Sequence, residues 1–163
     1  MMTWLSKHVF FPLWEMKDGS RRAKYLRELS SSQWLDTKTL RQRQWERVRE
    51  MVGYAFTHCP YYQDRLTSAG LDGVLRGWED FRRLPTLSKL DIRQNGDRLR
   101  SLEFQQKDLL EAKTGGSTGV ALQVYFDSQC QEMRNAAAMR SDQWAGWDIG
   151  TSVAAIWGNP PIA

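Results

Sequence analysis

The chain has 163 residues, enough for one ordinary domain with a hydrophobic core, and its net charge is +4. Hydrophobic residues make up 41% and charged residues 26%, which is the composition of a soluble protein. No apolar run approaches the roughly 18 residues that a membrane helix needs. Two cysteines, Cys59 and Cys130, are too few for a disulfide framework, so the sequence predicts reduced thiols and a cytoplasmic protein.

The first fifty residues combine an apolar start with a basic continuation. "HVFFPLW", residues 8–14, is short and interrupted by Pro12, and it lacks a small-residue cleavage site. It is therefore interpreted as a buried or docking segment and not as a signal peptide. Residues 21–50 hold nine Lys/Arg and four Asp/Glu, a balance that can bind nucleic acid or an anionic membrane. Because the acids are interspersed along an amphipathic pattern, an ordinary solvated helix face is favoured and no nucleic-acid partner is expected.

Residues 37–57 predict one long helix. Apolar side chains recur there at helical spacing, opposite a face of Arg, Gln and Glu residues. Asp36 or Thr37 can cap its start. The Cys59-Pro60 pair ends it, because a residue that precedes proline is disfavoured in the helical region.

Shorter helices are predicted for the rest of the first 110 residues. "YYQDRLTSAG", residues 61–70, is typical of a short helix that Gly70 ends in a left-handed cap. Another helix precedes a break at Pro85, and a new one starts at Ser88. Residues 1–110 are therefore predicted to form a helical N-terminal segment.

The periodicity changes in the last third of the chain. "ALQVYFD", residues 121–127, alternates and is rich in β-formers, so it predicts a strand. Ser128, with Gln131 three residues on, has the layout of a capping box for a helix that runs to Gly146. "SVAAIWG", residues 152–158, has the length and composition of a buried strand. Strand, helix and strand within about 35 residues predict a βαβ unit, and hence a parallel sheet in an α/β fold.

Two strands cannot complete a parallel sheet, because such a sheet needs both faces and both edges covered. We therefore expect either a piece of a longer protein or a chain that folds against a partner. Open strand edges, with Trp144, Trp147 and Trp157 nearby, predict that the 163-residue chain associates when it is alone. Trp144 and Trp147 are assigned to core packing or to an interface in preference to a substrate pocket.

Three glycines and three hydroxyl residues occupy six consecutive positions, Thr114 to Gly119, directly before the predicted strand. One explanation is an ordinary turn, since Gly, Ser and Thr are common in loops. The other is an anion-binding loop, in which backbone N–H groups and hydroxyls converge on phosphate oxygens. The P-loop pattern G-x-x-x-x-G-K-[ST] is absent. The dinucleotide fingerprint does not fit either, because a strand follows where a helix should begin.

"TGGSTGVALQVYFD" resembles the Ser/Thr/Gly-rich phosphate-binding loop of the adenylate-forming enzymes, the superfamily of acyl- and aryl-CoA ligases. Three further segments are similar, in order and spacing, to its phenylacetate–CoA ligase-like branch, which includes capsular-polysaccharide-biosynthesis proteins: "HCPYYQDRLTSAGL", "FRRLPTLSKLDIRQN" and "MRSDQWAGWDIGTSVAAIWG". The resemblance covers nearly the whole chain. It implies the N-terminal portion of such an enzyme, with residues 111–163 as the truncated start of the AMP-binding α/β domain.

The resemblance implies a definite chemistry. These enzymes use ATP and magnesium to convert a carboxylic acid to an acyl-adenylate and pyrophosphate, and most then pass the acyl group to a thiol such as coenzyme A. Relatives usually have a lysine at or just after the last glycine, where this chain has Val120. Lys89 and Arg93 match the branch's "K.dlr" signature. Two roles stay open for them, a packing or salt-bridge role and a ligand contact. By position, ATP-phosphate binding is implied for Thr114, Gly115, Gly116, Ser117, Thr118 and Gly119.

The resemblance places the rest of the machinery beyond residue 163. The adenine motif, the magnesium-binding acid, the ribose-binding aspartate and the catalytic lysine all belong to that part of the family's sequence. No catalytic residue is therefore assigned here, and the isolated chain is expected to be inactive. The implied partners are a nucleotide and a small carboxylic acid. Two other classes stay open: a non-catalytic interaction or assembly module in polysaccharide biosynthesis, and, more weakly, a nucleic-acid binder that uses residues 21–50.

The remaining candidates for chemistry are histidines and cysteines. His8 and His58 are fifty residues apart, and neither lies beside a cysteine or a carboxylate at metal-ligand spacing. Cys59 and Cys130 lack the glycine-rich or electropositive context of a reactive thiol. The sequence therefore predicts neither a metal site nor a cysteine nucleophile.

Overall fold

The computed structural model describes residues 2–114 and 121–154. These residues form a mixed α/β structure that is mostly helical and contains a two-stranded antiparallel sheet. The chain divides into two compact units, Met1–Gln33 with Glu132–Ala163, and Trp34–Gln131. The domain boundary predicted after residue 110 stays a prediction. Among the described residues, no helix has the length and apolar character needed to cross a membrane.

The helices and strands follow one another in a simple order. The first unit begins with α1 (Met2–Leu5), a π-helix (Ser6–Phe10), α2 (Phe11–Asp18) and α3 (Arg22–Ser32). The second unit contains α4 (Thr37–His58), α5 (Pro60–Ser68), α6 (Trp78–Arg82), α7 (Lys89–Gln94), α8 (Gly96–Leu99), a 3-10 helix (Gln106–Asp108), β1 (Leu110–Lys113) and β2 (Gln123–Phe126). Helix α9 (Ser128–Trp144) begins in the second unit and ends in the first.

The N-terminal run of helix contains a proline without being broken by it. Pro12 is the second residue of α2, and the π-helix Ser6–Phe10 directly precedes that helix. Proline donates no backbone hydrogen bond, and its ring clashes with the carbonyl four residues earlier. The wider π turn relieves both effects, so the chain stays helical until Gly19, where φ is 63°.

Glu15 is a buried carboxylate that holds the turn between α2 and α3. Its oxygens accept hydrogen bonds from the Arg22 Nε and the Ser20 hydroxyl, each at 3.0 Å, and from the Ala23 N–H at 2.8 Å. The Ala23 N–H is one of the backbone donors that the first turn of α3 leaves without a helical partner. Three donors, one of them charged, offset the cost of burying this carboxylate.

A small apolar core joins α3 to the second half of α9 in the first unit. Tyr25 and Leu26 pack against Ala136, whose side chain is fully buried. Glu132 strengthens this contact, because its carboxylate accepts a hydrogen bond from the Arg21 N–H at 3.0 Å. The side chains at the edge of this core are Leu29, Met139 and Ile149.

The core of the second unit lies between α4, α5 and the turn that follows α5. Its buried residues are Val52, Leu66, Leu71 and Leu75. Partly buried side chains surround them, and Trp78 stacks on one of these, Trp45, with ring centroids 4.7 Å apart. The surrounding side chains are Trp45, Val48, Phe56, Tyr62, Ala69 and Leu84.

The helix boundaries predicted for the second unit are confirmed. The cap of α4 is Asp36, whose carboxylate accepts hydrogen bonds from the Thr39 hydroxyl at 2.6 Å and the Thr39 N–H at 3.0 Å. These bonds lower the pKa of Asp36. Gly70, after α5, has the predicted left-handed backbone with φ 69°. Ser88 begins α7 in a capping box with Asp91.

The described sheet is antiparallel and does not contain the predicted parallel βαβ unit. Gln123–Phe126 is a strand as predicted, and it pairs antiparallel with Leu110–Lys113, for which the sequence predicted no strand. Residues 114–122 are the connection, and a parallel crossover needs a dozen residues or more. In the second predicted strand, residues 152–154 have no strand structure and residues 155–158 lie outside the described residues.

The predicted cap of α9 is wrong by one residue. The helix begins at Ser128, but the Asp127 carboxylate is the acceptor for the Cys130 N–H at 2.5 Å. Aspartate is one of the strongest N-cap residues, so it takes the position that the sequence prediction gave to serine. At the other end Gly146 has φ 88°, which agrees with the predicted end of the helix.

Trp144 and Trp147 differ in their surroundings. Trp144 is 64% exposed, and its indole N–H donates to the Gln33 side-chain oxygen at 2.7 Å. The guanidinium of Arg140 lies 4.9 Å from the centre of the same ring. The indole nitrogen of Trp147 is buried. Of the two roles predicted for these residues, core packing therefore does not apply to Trp144, and an interface stays a prediction.

Gly73 offers a test of how tightly the second unit packs. Its φ is 81°, and a Cβ placed there would lie 2.5 Å from the Cγ of Phe56. We expect Gly73→Ala to lower the free energy of unfolding by about 2–5 kcal/mol, because left-handed backbone and overlap with the ring both act against it. Gly77→Ala is the control, since φ there is −166° and a Cβ would meet nothing within 4 Å. Urea denaturation measures both variants, and equal losses would contradict this packing.

Candidate functional site

The loop that the sequence singled out connects β1 to β2. The register of the two strands runs from Leu110 opposite Phe126 to Lys113 opposite Gln123. One residue further on, the Thr114 N–H donates to the Leu122 carbonyl at 2.9 Å. The Leu122 N–H in turn donates to the Thr114 hydroxyl oxygen at 2.9 Å. Two hydrogen bonds therefore join the ends of the connection and continue the hairpin past its last strand pair.

The six residues predicted to bind phosphate divide between described and undescribed parts of the chain. Thr114 is described, and its hydroxyl oxygen already accepts the Leu122 N–H, which leaves the O–H as a donor for another group. Gly115, Gly116, Ser117, Thr118 and Gly119 lie outside the described residues, as does Val120. Phosphate binding by these residues stays a prediction.

A cleft of about 1140 Å³ lies beside β2 in the second unit. Its lining brings together segments that are far apart in sequence, and both residues between the undescribed loop and β2, Ala121 and Leu122, belong to it. The C-terminal end of the connection thus lies at the cleft. One wall is formed by residues 92–101, 103 and 104, another by residues 121–127, and the remainder by Tyr54, Cys59, Tyr62, Leu87, Leu109 and Cys130.

Arg100 is the cation whose position in the cleft is best defined. Its Nη2 lies 2.6 Å from the Asp97 carboxylate, and its guanidinium lies 5.3 Å from the centre of the Tyr125 ring on β2. A further contact joins Nη1 to the Gln106 side chain. Its Nε is buried and has no hydrogen-bond partner within the described part of the chain. Arg100 therefore connects the wall that follows α8 to the strand, and it keeps one donor unsatisfied.

The two residues of the "K.dlr" signature occupy different positions in α7. Lys89 is the first residue of that helix and is exposed. Arg93, one turn later, lines the cleft. Its position at the cleft is compatible with both predicted roles, a ligand contact and a packing or salt-bridge role. Nothing in the structure distinguishes Lys89 from an ordinary surface cation.

A polar cluster at the end of α4 was not predicted from the sequence. The Tyr54 hydroxyl lies 2.6 Å from the Ser101 hydroxyl, and the His58 Nδ1 lies 3.7 Å from the Glu103 carboxylate. The carbonyl of His58 also accepts the Leu102 N–H at 2.9 Å. Burial raises the pKa of the Tyr54 phenol, which favours its protonated form. The cluster fixes the turn at residues 101–103 against α4 and so shapes one wall of the cleft.

Sequence reasoning missed this cluster because it joins two segments of the chain, α4 and the turn at residues 101–103, that are more than forty residues apart. A weak signal exists: Tyr54 and His58 are spaced four apart and share one face of α4, with ring centroids 4.5 Å apart. That spacing predicts a pair on one helix face. It does not identify Ser101 and Glu103 as their partners.

Two cysteines, Cys59 and Cys130, line the cleft in different surroundings. Cys59 is buried, and burial raises the pKa of its thiol, which disfavours the nucleophilic thiolate. Cys130 is exposed in the first turn of α9. Across residues 2–114 and 121–154, no group of three or more His, Cys, Asp or Glu side chains is arranged to hold a metal ion.

Part of the chain is similar to a curated protein. A stretch of 62 residues is 37% identical to the phenylacetate-coenzyme A ligase of Thermus thermophilus. The matched stretch covers 37% of this chain and 14% of the ligase, so the chain corresponds to a small part of that protein's length. This supports a distant relationship to the adenylate-forming ligases. No protein-family model matches the chain, and no solved structure matches it.

The role of Thr114 at the base of the loop can be tested by hydrogen exchange of backbone amides. Thr114→Val keeps the shape of the side chain but removes the acceptor for the Leu122 N–H. We expect hydrogen exchange at the Leu122 amide to become about 2- to 10-fold faster, which corresponds to one lost hydrogen bond. Thr114→Ser retains the hydroxyl and should exchange like the parent chain. Unchanged exchange in the valine variant would show that this bond does not hold the loop.

Proposed function

We propose that the chain is the ATP-phosphate-binding part of a carboxylate-activating ligase. In that reaction a carboxylate oxygen attacks the α-phosphorus of ATP, an acyl-adenylate forms, and the bond to the leaving pyrophosphate breaks. A thiol such as coenzyme A would then take the acyl group and release AMP. Residues 114–119 would hold the phosphates, and the partners would be the nucleotide and a small carboxylic acid.

The observation that carries the proposal is the position of Ala121 and Leu122, which follow the loop in the chain, at the cleft. The partial match to a CoA ligase and the loop's composition both point to bound phosphate. Ala121 and Leu122, which follow the loop in the chain, line a cleft that also contains Arg93 and Arg100. Charge-assisted hydrogen bonds from arginine suit phosphate and carboxylate oxygens. A ligand anchored by the loop would therefore extend into a cleft whose lining includes three arginines, Arg93, Arg98 and Arg100, together with three acids, Asp97, Glu103 and Asp127.

Arg93 and Arg100 also bear on the one departure from the family pattern. Val120 stands where relatives usually carry a lysine, so this chain lacks that positive charge next to the glycines. We propose that the arginines of the cleft supply part of the missing charge. The unsatisfied Nε of Arg100 suits an anionic oxygen, because a buried donor without a partner is costly.

The proposal assigns magnesium binding and catalysis to residues that are not in this chain. Magnesium prefers carboxylate oxygens, usually one or two together with substrate phosphates. The proposed metal ligands and the catalytic lysine are those that the family resemblance places outside this chain, so acid-dependent ATP–pyrophosphate exchange by the 163 residues alone should stay at background.

Nucleotide binding tests the proposal directly. We expect Gly116→Val to weaken Mg-ATP binding at least about tenfold, because a β-branched side chain blocks close approach of the backbone to phosphate. Gly77→Val is the matched control, since Gly77 has an extended backbone with open space around its Cβ position. Equilibrium dialysis with radiolabelled ATP measures both, with the full-length gene product compared in parallel.

Three outcomes would contradict it. Equal ATP affinity in the Gly116→Val variant and the parent would leave the loop as an ordinary turn. A lack of ATP binding by the full-length product would favour the non-catalytic assembly module. Binding of DNA or RNA that weakens steeply with salt would favour the nucleic-acid class instead.

A further inference from the structure

The hairpin of β1 and β2 depends on contacts with the helices of the second unit, because a two-stranded hairpin is only marginally stable by itself. Arg100 makes one such contact. Its guanidinium lies 5.3 Å from the centre of the Tyr125 ring, and Tyr125 pairs with Glu111 of β1. The Tyr125 hydroxyl also accepts a hydrogen bond from the Gln123 side-chain amide at 2.7 Å. Arg100 therefore contacts a ring that is itself held on the strand.

This contact lies close to the end of the hairpin from which the loop leaves. Leu122, three residues before Tyr125, is joined to Thr114 by two hydrogen bonds of 2.9 Å. Backbone amides exchange with solvent when such bonds open locally. On so short a strand, loss of an anchoring contact at Tyr125 makes opening at Leu122 more frequent. The Thr114 and Leu122 amides therefore report on the contact between Arg100 and the hairpin.

Other groups hold the Arg100 guanidinium only in part. Its Nη2 lies 2.6 Å from the Asp97 carboxylate, but the Asp97 side chain is 92% exposed, and exposed ion pairs contribute little. Its Nη1 contacts the Gln106 side chain. Its Nε is buried and has no hydrogen-bond partner among residues 2–114 and 121–154. Arg100 can thus donate to an anion in the cleft that it lines, while the same guanidinium contacts Tyr125.

We propose that Arg100 is a positioning residue that couples an anion bound in the cleft to the stability of the β1–β2 hairpin. Ordering an arginine side chain costs rotamer freedom, and this cost arises only once when two partners hold the same guanidinium. An anion at Nε and the Tyr125 ring therefore reinforce each other, and by linkage each strengthens the other by the same factor. The inference rests on the proposed function in one respect, that an anionic ligand enters the cleft. It requires neither ATP nor the loop.

Hydrogen exchange of the Thr114 and Leu122 amides tests the coupling, with inorganic tripolyphosphate as the probe and calorimetry to establish saturation. We expect saturating tripolyphosphate to slow exchange in the parent chain about 3- to 10-fold, within the limit set by the rotamer freedom of one arginine. Tyr125→Leu removes the ring, so it should lose the slowing and bind the probe more weakly by the same factor. Arg100→Lys keeps the charge without the planar guanidinium, so it should lose most of the slowing.

Matched variants separate this coupling from a general loss of structure. Tyr125→Phe keeps the ring and should show the slowing of the parent. Arg43→Gln removes an exposed cation of α4 that is not among the residues lining the cleft, and it should also resemble the parent. Circular dichroism checks that each variant folds, and Arg100→Lys serves as the test if Tyr125→Leu does not.

Full slowing in Tyr125→Leu or in Arg100→Lys would overturn the coupling. So would a parent chain that does not bind tripolyphosphate, or that binds it without slower exchange. ATP binding, measured separately by dialysis, distinguishes this failure from that of the proposed function. A parent chain that binds ATP but shows no slowing contradicts the coupling alone. One that shows the slowing with tripolyphosphate but does not bind ATP contradicts the proposed function alone.

Discussion

Pairing of Leu110–Lys113 with Gln123–Phe126 is the constraint on which the candidate site depends. It brings together the two ends of a connection rich in glycine and hydroxyl residues, and Thr114 and Leu122 close it with two hydrogen bonds. The same pairing holds β2 in place as a wall of the cleft. A short antiparallel hairpin is marginal alone, so its contacts with the rest of the second unit matter for the site.

Arg100 supplies the most evident of these contacts. Its guanidinium is held by Asp97 on one side and lies over the Tyr125 ring of β2 on the other. The wall across from β2, to which Arg100 itself belongs, is fixed by the hydrogen bonds of Tyr54 and His58 to the turn at residues 101–103. Charged groups whose positions are set before a ligand arrives need little rearrangement on binding, which suits a site for anionic oxygens. Both walls therefore support the proposed role of the cleft.

Local signals in the sequence determined the helices of the second unit. The Asp36 cap, the capping box at Ser88 and the left-handed Gly70 depend on residues within a few positions of one another, so sequence alone was sufficient. The loop rich in glycine and hydroxyl residues was also singled out from the sequence, and its role in phosphate binding stays a prediction, because five of its six residues lie outside the described structure. The cap of α9 is local too, and the sequence prediction missed it because Asp127 and Ser128 are adjacent capping residues. Only the tertiary structure decided the partner of β2 and the Tyr54–Ser101 contact. Strand pairing and side-chain contacts across forty or more residues depend on competition between distant segments, which local periodicity does not encode.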